Sequence, residues 1–284
     1  VLENRMRLFA FTDEECLDLA RAHGTPLYAY RREAAEESYR RLRAALPNRA
    51  RIAYAVKANP NPELLACFAA LGASFDCASG GELSAAARIG LPPGRLFYAG
   101  PGKRGAELEL ALALGARLQA EGWEDLERLE RLAPGPVEVN LRVHPAEGAA
   151  EERPILGGTE PSAFGVDEED VPALLERARA LSRVRVTGLH VFAASNQRAA
   201  ARLPATHARV LELGKCLAHR FGLDLAQIDL GGGLGVPYRP EDPELDLQAL
   251  GAGLAVLLER QRWFQGELIL EPGRVIVGNA GILV

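Results

Sequence analysis

The sequence predicts an α/β protein in which eight parallel strands and their helices form a (β/α)8 barrel of the TIM type. Short β-branched or aromatic runs alternate with amphipathic segments along most of the chain, an order typical of βαβ units. A length of 284 residues suits one such barrel, which takes about 250 residues. A doubly wound open sheet is the alternative, but its glycine-rich turn is expected after the first strand. Here the glycine-rich turn follows the seventh.

One predicted strand precedes the barrel and eight form it. These strands are residues 26–30, 51–57, 74–78, 95–99, 116–120, 137–143, 184–192, 226–230 and 267–271. Helices are predicted in the intervening segments, for example at 104–114, 167–181, 198–220 and 247–262.

A second, truncated β domain is predicted from the two ends of the chain. Residues 1–45 supply an N-terminal strand and helix, and the strand at 26–30 is assigned to the β domain. Residues 46–274 form the barrel and carry the binding site. Residues 275–284 read as the start of a C-terminal β domain, whose remainder is absent from this sequence.

The composition gives no support to a nucleic-acid-binding or membrane-spanning protein. A formal net charge of −5 gives no support to nucleic-acid or anionic-membrane binding, because both favour a basic face. No apolar run is long enough to span a bilayer. The four cysteines form no CxxC pair, so we expect reduced thiols in a cytoplasmic protein. No histidine, cysteine or carboxylate spacing indicates a metal site, and His23, His207 and His219 are expected at the surface.

Polar residues fall at the carboxyl ends of several predicted strands, where a barrel of this kind places its active site. These residues are Lys57, Asp76, Arg142, His190 and Glu271. Partial burial and neighbouring cations are expected to lower the pKa of Lys57, which would free its amine to react with a carbonyl group. The alternative for Lys57 is a lysine that extends into solvent from a strand end.

The glycine triplet 231–233 indicates a site for an anion such as phosphate. Successive backbone N–H groups without side chains can approach phosphate oxygens, although such triplets also occur as simple tight turns. Arg274 could supply a guanidinium to the same phosphate. A carboxylate such as Glu271, near a reactive lysine and a phosphate site, suggests pyridoxal phosphate, whose ring nitrogen is kept protonated by an acidic partner. The alternative for Glu271 is a structural ion pair.

The motifs resemble those of the fold-type III pyridoxal-phosphate decarboxylases, the group of ornithine, arginine and diaminopimelate decarboxylases. They occur in the family's order over almost the whole chain: "YAVKAN" around Lys57, "FDCASGGEL", "LRV" around Arg142, "GLHVFAAS", "DLGGGLG" and "EPGR". The resemblance implies an alanine-racemase-like barrel with a C-terminal β domain, a small-molecule amino-acid substrate and a homodimer.

The resemblance also implies a role for each candidate residue. Lys57 would form the Schiff base, Glu271 would pair with the pyridine nitrogen, and His190 is a further catalytic candidate. Asp76 and Arg142 would shape the polar surroundings of the lysine and the ring. Phe192 occupies the position at which the family commonly has a ring-stacking histidine. The residues implied to hold the phosphate are Ser195, Gly231, Gly232, Gly233, Gly273 and Arg274.

The expected reaction is decarboxylation of an L- or meso-amino acid through Lys57. The substrate could be a diamino acid, and Phe192 also suggests siderophore precursors or carrier-linked amino acids. One alternative is a racemase of the same fold, which would place an arginine at the ring nitrogen, where this chain has Glu271. The other is a non-catalytic homologue that binds pyridoxal phosphate or a partner protein.

Overall fold

The computed structural model of the protein describes residues 10–145, 163–192 and 196–284. Its strands are β1 (Tyr28–Tyr30), β2 (Ala50–Ala55), β3 (Ser74–Cys77), β4 (Leu96–Tyr98), β5 (Arg117–Ala120), β6 (Val137–His144), β7 (Val166–Asp167), β8 (Val184–His190), β9 (Gln227–Asp229), β10 (Glu267–Leu270) and β11 (Gly281–Leu283). Its helices are α1 (Asp13–His23), α2 (Arg32–Ala45), α3 (Pro62–Ala70), α4 (Gly80–Ala87), α5 (Gly105–Ala113), α6 (Trp123–Leu132), α7 (Val171–Ala178), α8 (Leu203–Phe221), α9 (Leu247–Arg260) and α10 (Arg274–Val277).

Eight strands form a closed parallel barrel. The hydrogen-bonded order runs β5, β4, β3, β2, β10, β9, β8 and β6, and pairing of β5 with β6 closes the ring. The predicted (β/α)8 barrel is therefore confirmed. The short strand β7 adds to the end of β6. No helix among the described residues is long and apolar enough to cross a membrane.

A separate two-stranded sheet lies outside the barrel. Strand β1 pairs antiparallel with β11, so that Tyr28 lies opposite Leu283 and Tyr30 lies opposite Gly281. The two segments that the sequence assigned to a second β domain thus meet in one sheet. Their assignment to a separate domain, with the boundaries given above, stays a prediction.

The main hydrophobic core lies between the barrel wall and its helices. It joins alternate strand residues, such as Ile52 and Tyr54, to helical residues such as Phe68. A second cluster contains Ala53, Phe97 and Ile269, all fully buried. Because successive strand side chains point to opposite faces, these three fill the inside of the barrel.

Three local expectations differ from the structure. The predicted strand 51–57 ends at Ala55, and Lys57 lies in a single 3-10 turn, Val56–Ala58. His207 on α8 was expected at the surface but is only 4% exposed, because its side of the helix packs on the barrel. Helix α8 begins at Leu203 rather than at 198, with Pro204 in its first turn, where a missing N–H is tolerated.

Candidate active site

The turn after β2 places Lys57 at the carboxyl end of the barrel. Asn59 is extended before Pro60, as a residue before proline prefers, so the 3-10 turn cannot continue into a longer helix. The Tyr54 hydroxyl donates to the carbonyl oxygen of Asn59 at 3.1 Å. The Asn61 side chain then caps α3 by accepting a hydrogen bond from the N–H of Glu63. These contacts fix the backbone on which Lys57 sits.

The Lys57 amine faces the buried carboxylate of Asp76. The Nζ–Oδ2 distance is 3.5 Å, and the lysine side chain is 51% exposed whereas that of Asp76 is 1% exposed. The charge of Asp76, assisted by that of Glu271, raises the pKa of Lys57 against the effect of burial. The expectation of a lowered pKa was therefore wrong for this structure, because Arg142 is a weaker influence than the two carboxylates. Burial raises the pKa of Asp76 to about 7.

Glu271 follows β10 directly and is 4% exposed. The Nε2 group of Gln119, on β5, donates to Oε1 of Glu271 at 3.0 Å and to Oδ2 of Asp229 at 3.0 Å. Burial alone would raise the pKa of Glu271. The imidazole of His190, the amine of Lys57 and the carboxyl of Asp229 reverse that effect, so the pKa of Glu271 lies below its usual value. Glu271 is thus an ionised carboxylate in a buried site.

His190 ends β8 and lies beside Glu271. Its Nε2 atom is 3.4 Å from Oε2 of Glu271, although the pair is not aligned as a hydrogen bond. Burial lowers the pKa of His190, and the charge of Glu271 opposes this shift. The structure places His190 at the strand end, as predicted. Its catalytic role stays a prediction.

The glycine turn after β9 packs against Glu271 and against the loop that follows β8. Gly231 has φ +70°, and a Cβ atom there would lie 2.9 Å from the Val191 carbonyl oxygen. A Cβ atom at Gly232 would lie 2.5 Å from the carbonyl oxygen of Glu271. The N–H of Gly231 donates to Oδ1 of Asp229 at 2.9 Å, so this residue contributes shape rather than a free donor.

The guanidinium of Arg142, on β6, forms an ion pair with Glu121, a residue that no sequence motif indicated. Its Nη1 atom lies 2.9 Å from Oε1 of Glu121, and both side chains are almost fully buried. Glu121 also accepts hydrogen bonds from the backbone N–H groups of Gly100, which lies after β4, and Gly165, which precedes β7. The guanidinium lies 4.8 Å above the Phe164 ring. Glu121 therefore ties Arg142 to the rim.

The remaining predicted residues lie around the same rim. The Lys57 amine is 5.8 Å from the centroid of the Phe192 ring, which packs over Gly231 and Gly232. Arg274 begins α10 and donates to the Tyr238 hydroxyl. A Cβ atom at Gly273 would lie 2.7 Å from the Cβ atom of Ala58. Gly233 has φ +86°, and Ser195 lies outside the described residues.

The donor set fits pyridoxal phosphate. Lys57 offers an amine, Glu271 a buried ionised carboxylate for a protonated ring nitrogen, and the glycines a surface without side chains. Atoms of His190, Asp229 and Glu271 also come within 4.8 Å of one another, a spacing that could suit a cation. One oxygen of each carboxyl already accepts a hydrogen bond from Gln119, however, which leaves fewer free oxygens for a cation.

Sequence reasoning missed Gln119 and Glu121 and gave Asp229 no role of its own. The signal was present, because Gln119 and Glu121 follow Arg117 at alternate positions, separated by the buried apolar residues Leu118 and Ala120. In a barrel strand this alternation places the polar set on the inner face.

Comparison with known proteins matches most of the chain to one family. Residues 32–278 match the pyridoxal-binding domain of the pyridoxal-dependent decarboxylases. The diaminopimelate decarboxylase of Aquifex aeolicus is 37% identical over 273 residues, covering 94% of this chain and 63% of that enzyme. The chain thus spans less than two thirds of the length of this curated relative.

Solved structures of similar proteins have the same barrel. Diaminopimelate decarboxylase from Helicobacter pylori, complexed with L-lysine, has a TM-score of 0.84 at 28% identity, covering 94% of this chain and 68% of that one. Lysine decarboxylase from Selenomonas ruminantium has a TM-score of 0.82 at 28% identity, covering 97% and 69%. The predicted cofactor, pyridoxal phosphate, is confirmed by the family match. The chain belongs to the pyridoxal-dependent decarboxylases, the family of the ornithine, arginine and diaminopimelate enzymes, and most of it is their pyridoxal-binding domain.

Proposed function

We propose that the protein decarboxylates an amino acid with pyridoxal phosphate as its cofactor, and that the substrate is a diamino acid. The observation that carries the proposal is that the Lys57 amine and the ionised, buried carboxylate of Glu271 converge on one rim. The names of the relatives, diaminopimelate and lysine decarboxylases, support a diamino acid. They give no support to siderophore or carrier-linked substrates.

The chain's own residues supply binding, charge and proton positions. Pyridoxal phosphate, when bound, supplies an aldehyde that captures amines and a protonated ring that accepts the electron pair of a broken bond. Glu271 stays ionised and would therefore hold a proton on the ring nitrogen of the bound cofactor. Lys57 must lose a proton from Nζ before it can attack a carbonyl, and Oδ2 of Asp76 is the nearby acceptor at 3.5 Å.

Glu271 also weighs against the racemase alternative. A racemase of this fold would keep the ring nitrogen unprotonated with an arginine, whereas a carboxylate here favours the protonated ring and thus a stronger electron sink. The homodimer and the cytoplasmic location stay predictions from the sequence.

The first test is the site of covalent labelling. The sequence contains only three lysines, so incubation with pyridoxal phosphate, borohydride reduction and peptide mapping give a clear answer. We expect label on Lys57 alone. Lys215, which is 53% exposed, controls for non-specific reaction, and Lys103, which is ion-paired and 2% exposed, controls for unfolding. Label that appears equally on Lys215 would contradict the assignment of Lys57.

The substrate requires a second measurement. Carbon dioxide release from meso-diaminopimelate, L-lysine and L-alanine should be compared on the full-length gene product, with the Lys57→Ala variant as a control. Release from either diamino acid, but not from alanine, is expected. Release from alanine alone would refute the proposed substrate class.

A further inference from the structure

Two carboxyl groups of the candidate active site share one amide donor. Gln119 Nε2 has two hydrogens, and they are used by Asp229 Oδ2 and Glu271 Oε1, both at 3.0 Å. Gln119 and Asp229 are fully buried, and Glu271 is 4% exposed. The reversed amide would place its oxygen against both carboxyls, so these contacts fix the orientation of the Gln119 side chain.

The charges of this group do not balance if both carboxyls are ionised. An amide carries no charge, and the amine of Lys57, whose charge acts on Glu271, is hydrogen-bonded to Asp76. His190 Nε2 approaches Glu271 at 3.4 Å, but burial disfavours its charged form. The charges of His190 and Lys57 act on Glu271, so an ionised Asp229 beside it would lack compensation, as in other carboxyl pairs that retain one proton between them.

The surroundings of the two carboxyls shift their pKa values in opposite directions. Burial, followed by the charge of Glu271 and a hydrogen bond to it, raises the pKa of Asp229 well above its usual value. The opposite shift at Glu271 leaves that group ionised. The second oxygen of Asp229 accepts the Gly231 N–H at 2.9 Å, which holds the carboxyl in register with the glycine turn.

We propose that Asp229 is a proton-bearing positioning residue, which keeps Glu271 as the single ionised carboxylate available to the cofactor's ring nitrogen. Asp229 acts through Glu271 and, by accepting the Gly231 N–H, through the glycine turn. The role assigned to Glu271 rests on the proposed function. The proton on Asp229 is a property of the chain alone, so it can be measured without cofactor or substrate.

Infrared spectroscopy tests the proton directly. At pH 9 ordinary carboxyls are ionised, and so is Asp76, whose pKa is about 7. Wild-type protein without added cofactor should still show one carboxylic-acid carbonyl band. Asp229→Asn should remove the band and Asp76→Asn should keep it. A wild-type spectrum without the band overturns the proposal, even if Asp229→Asn does not fold. A band that survives Asp229→Asn and disappears in Glu271→Gln also overturns it.

The pH dependence of unfolding is the second readout. A carboxyl that is protonated when folded and ionised when unfolded loses its proton on unfolding, so stability falls as pH rises. The ratio of the unfolding constants of wild type and Asp229→Asn should rise with pH from pH 6 upwards, by at most about tenfold per pH unit. Asp224→Asn, at an exposed position, is the matched control and should give a constant ratio. A constant ratio for Asp229→Asn would contradict the proposal.

The two proposals fail separately. Labelling of Lys57 with no infrared band would leave the decarboxylase proposal intact and refute the role of Asp229. An infrared band with no labelling of Lys57 would support the proton on Asp229 and refute the decarboxylase proposal.

Discussion

Lys57 reacts, on our proposal, from a position where carboxylates outnumber cations. Asp76 and Glu271 both raise its pKa, so the amine is held as an ammonium ion in this structure. The Lys57 side chain is nevertheless half-exposed. The local charge, more than burial, therefore determines when Lys57 becomes a nucleophile.

Replacement of Asp76 by Asn should lower the pKa of Lys57, because the main stabilising charge is removed while the shape is kept. Reductive methylation with labelled formaldehyde, followed by NMR titration, would report Lys57 and Lys215 in the same sample. We expect the Lys57 midpoint to move to lower pH in Asp76→Asn and the Lys215 midpoint to stay. Identical Lys57 midpoints in the two proteins would show that Asp76 does not set the charge of the amine.

At the scale of elements, α8 contains a histidine that the packing keeps neutral. His207 is 4% exposed, its Nδ1 atom has no hydrogen-bond partner among the described residues, and burial lowers its pKa to about 4. The ordinary pKa near 6.5 returns on unfolding. The unfolded chain therefore binds a proton below pH 6.5 that the folded helix does not, and stability is lost as pH falls from 6.5 to about 4.

Between pH 7 and pH 5 this difference should lower the free energy of unfolding by about 2 kcal/mol. The comparison of wild type with His207→Leu, by urea unfolding at both pH values, isolates the contribution. The variant should lose less stability than wild type over this range. His23→Leu, at an exposed position on α1, is the control and should behave as wild type. Parallel losses in wild type and His207→Leu would be evidence against a neutral, buried His207.

At the scale of the whole molecule, barrel closure assembles the site. Seven strands, or the residues that follow them, each contribute one polar side chain. These residues are Lys57, Asp76, Gln119, Arg142, His190, Asp229 and Glu271. A ligand that contacts this set bridges elements distant in sequence. Its binding is therefore linked to the folding of the entire barrel.

Pyridoxal phosphate at about 100 times its dissociation constant should stabilise the folded protein by about 2.7 kcal/mol, raising the melting temperature by several degrees. Thermal unfolding followed by tryptophan fluorescence would measure the shift. Pyridoxal without the phosphate should give a smaller shift, because the contacts implied for Arg274 and the glycine turn are lost. Equal shifts for the two compounds would argue against a phosphate site at that turn.

The barrel could be predicted from sequence because alternation of strands and helices is a local signal repeated along the chain. The same local signal locates the ends of the strands, and it therefore predicts that Asp76, Arg142 and His190 lie at the rim. The strand predicted at 51–57 extended to Lys57, because no local signal distinguished a strand end from the 3-10 turn.

The charge state of the site could not be predicted in the same way. The pKa of Lys57 depends on carboxylates that are 19 and 214 residues away in sequence, at Asp76 and Glu271. The link between Gln119 and Glu271 spans 152 residues. His207 lies among charged residues in the sequence, and only the packing of α8 shows that it faces inwards.

The two hydrophobic clusters are very unequal, and this has an evolutionary consequence. Among the described residues, the inner cluster consists of Ala53, Phe97 and Ile269, whereas the outer core joins the strands to the helices. Most of the apolar burial that drives folding is therefore remote from the polar rim. Selection can vary rim side chains from one lineage to another while the scaffold is inherited unchanged, so descent of the fold and change of substrate proceed independently.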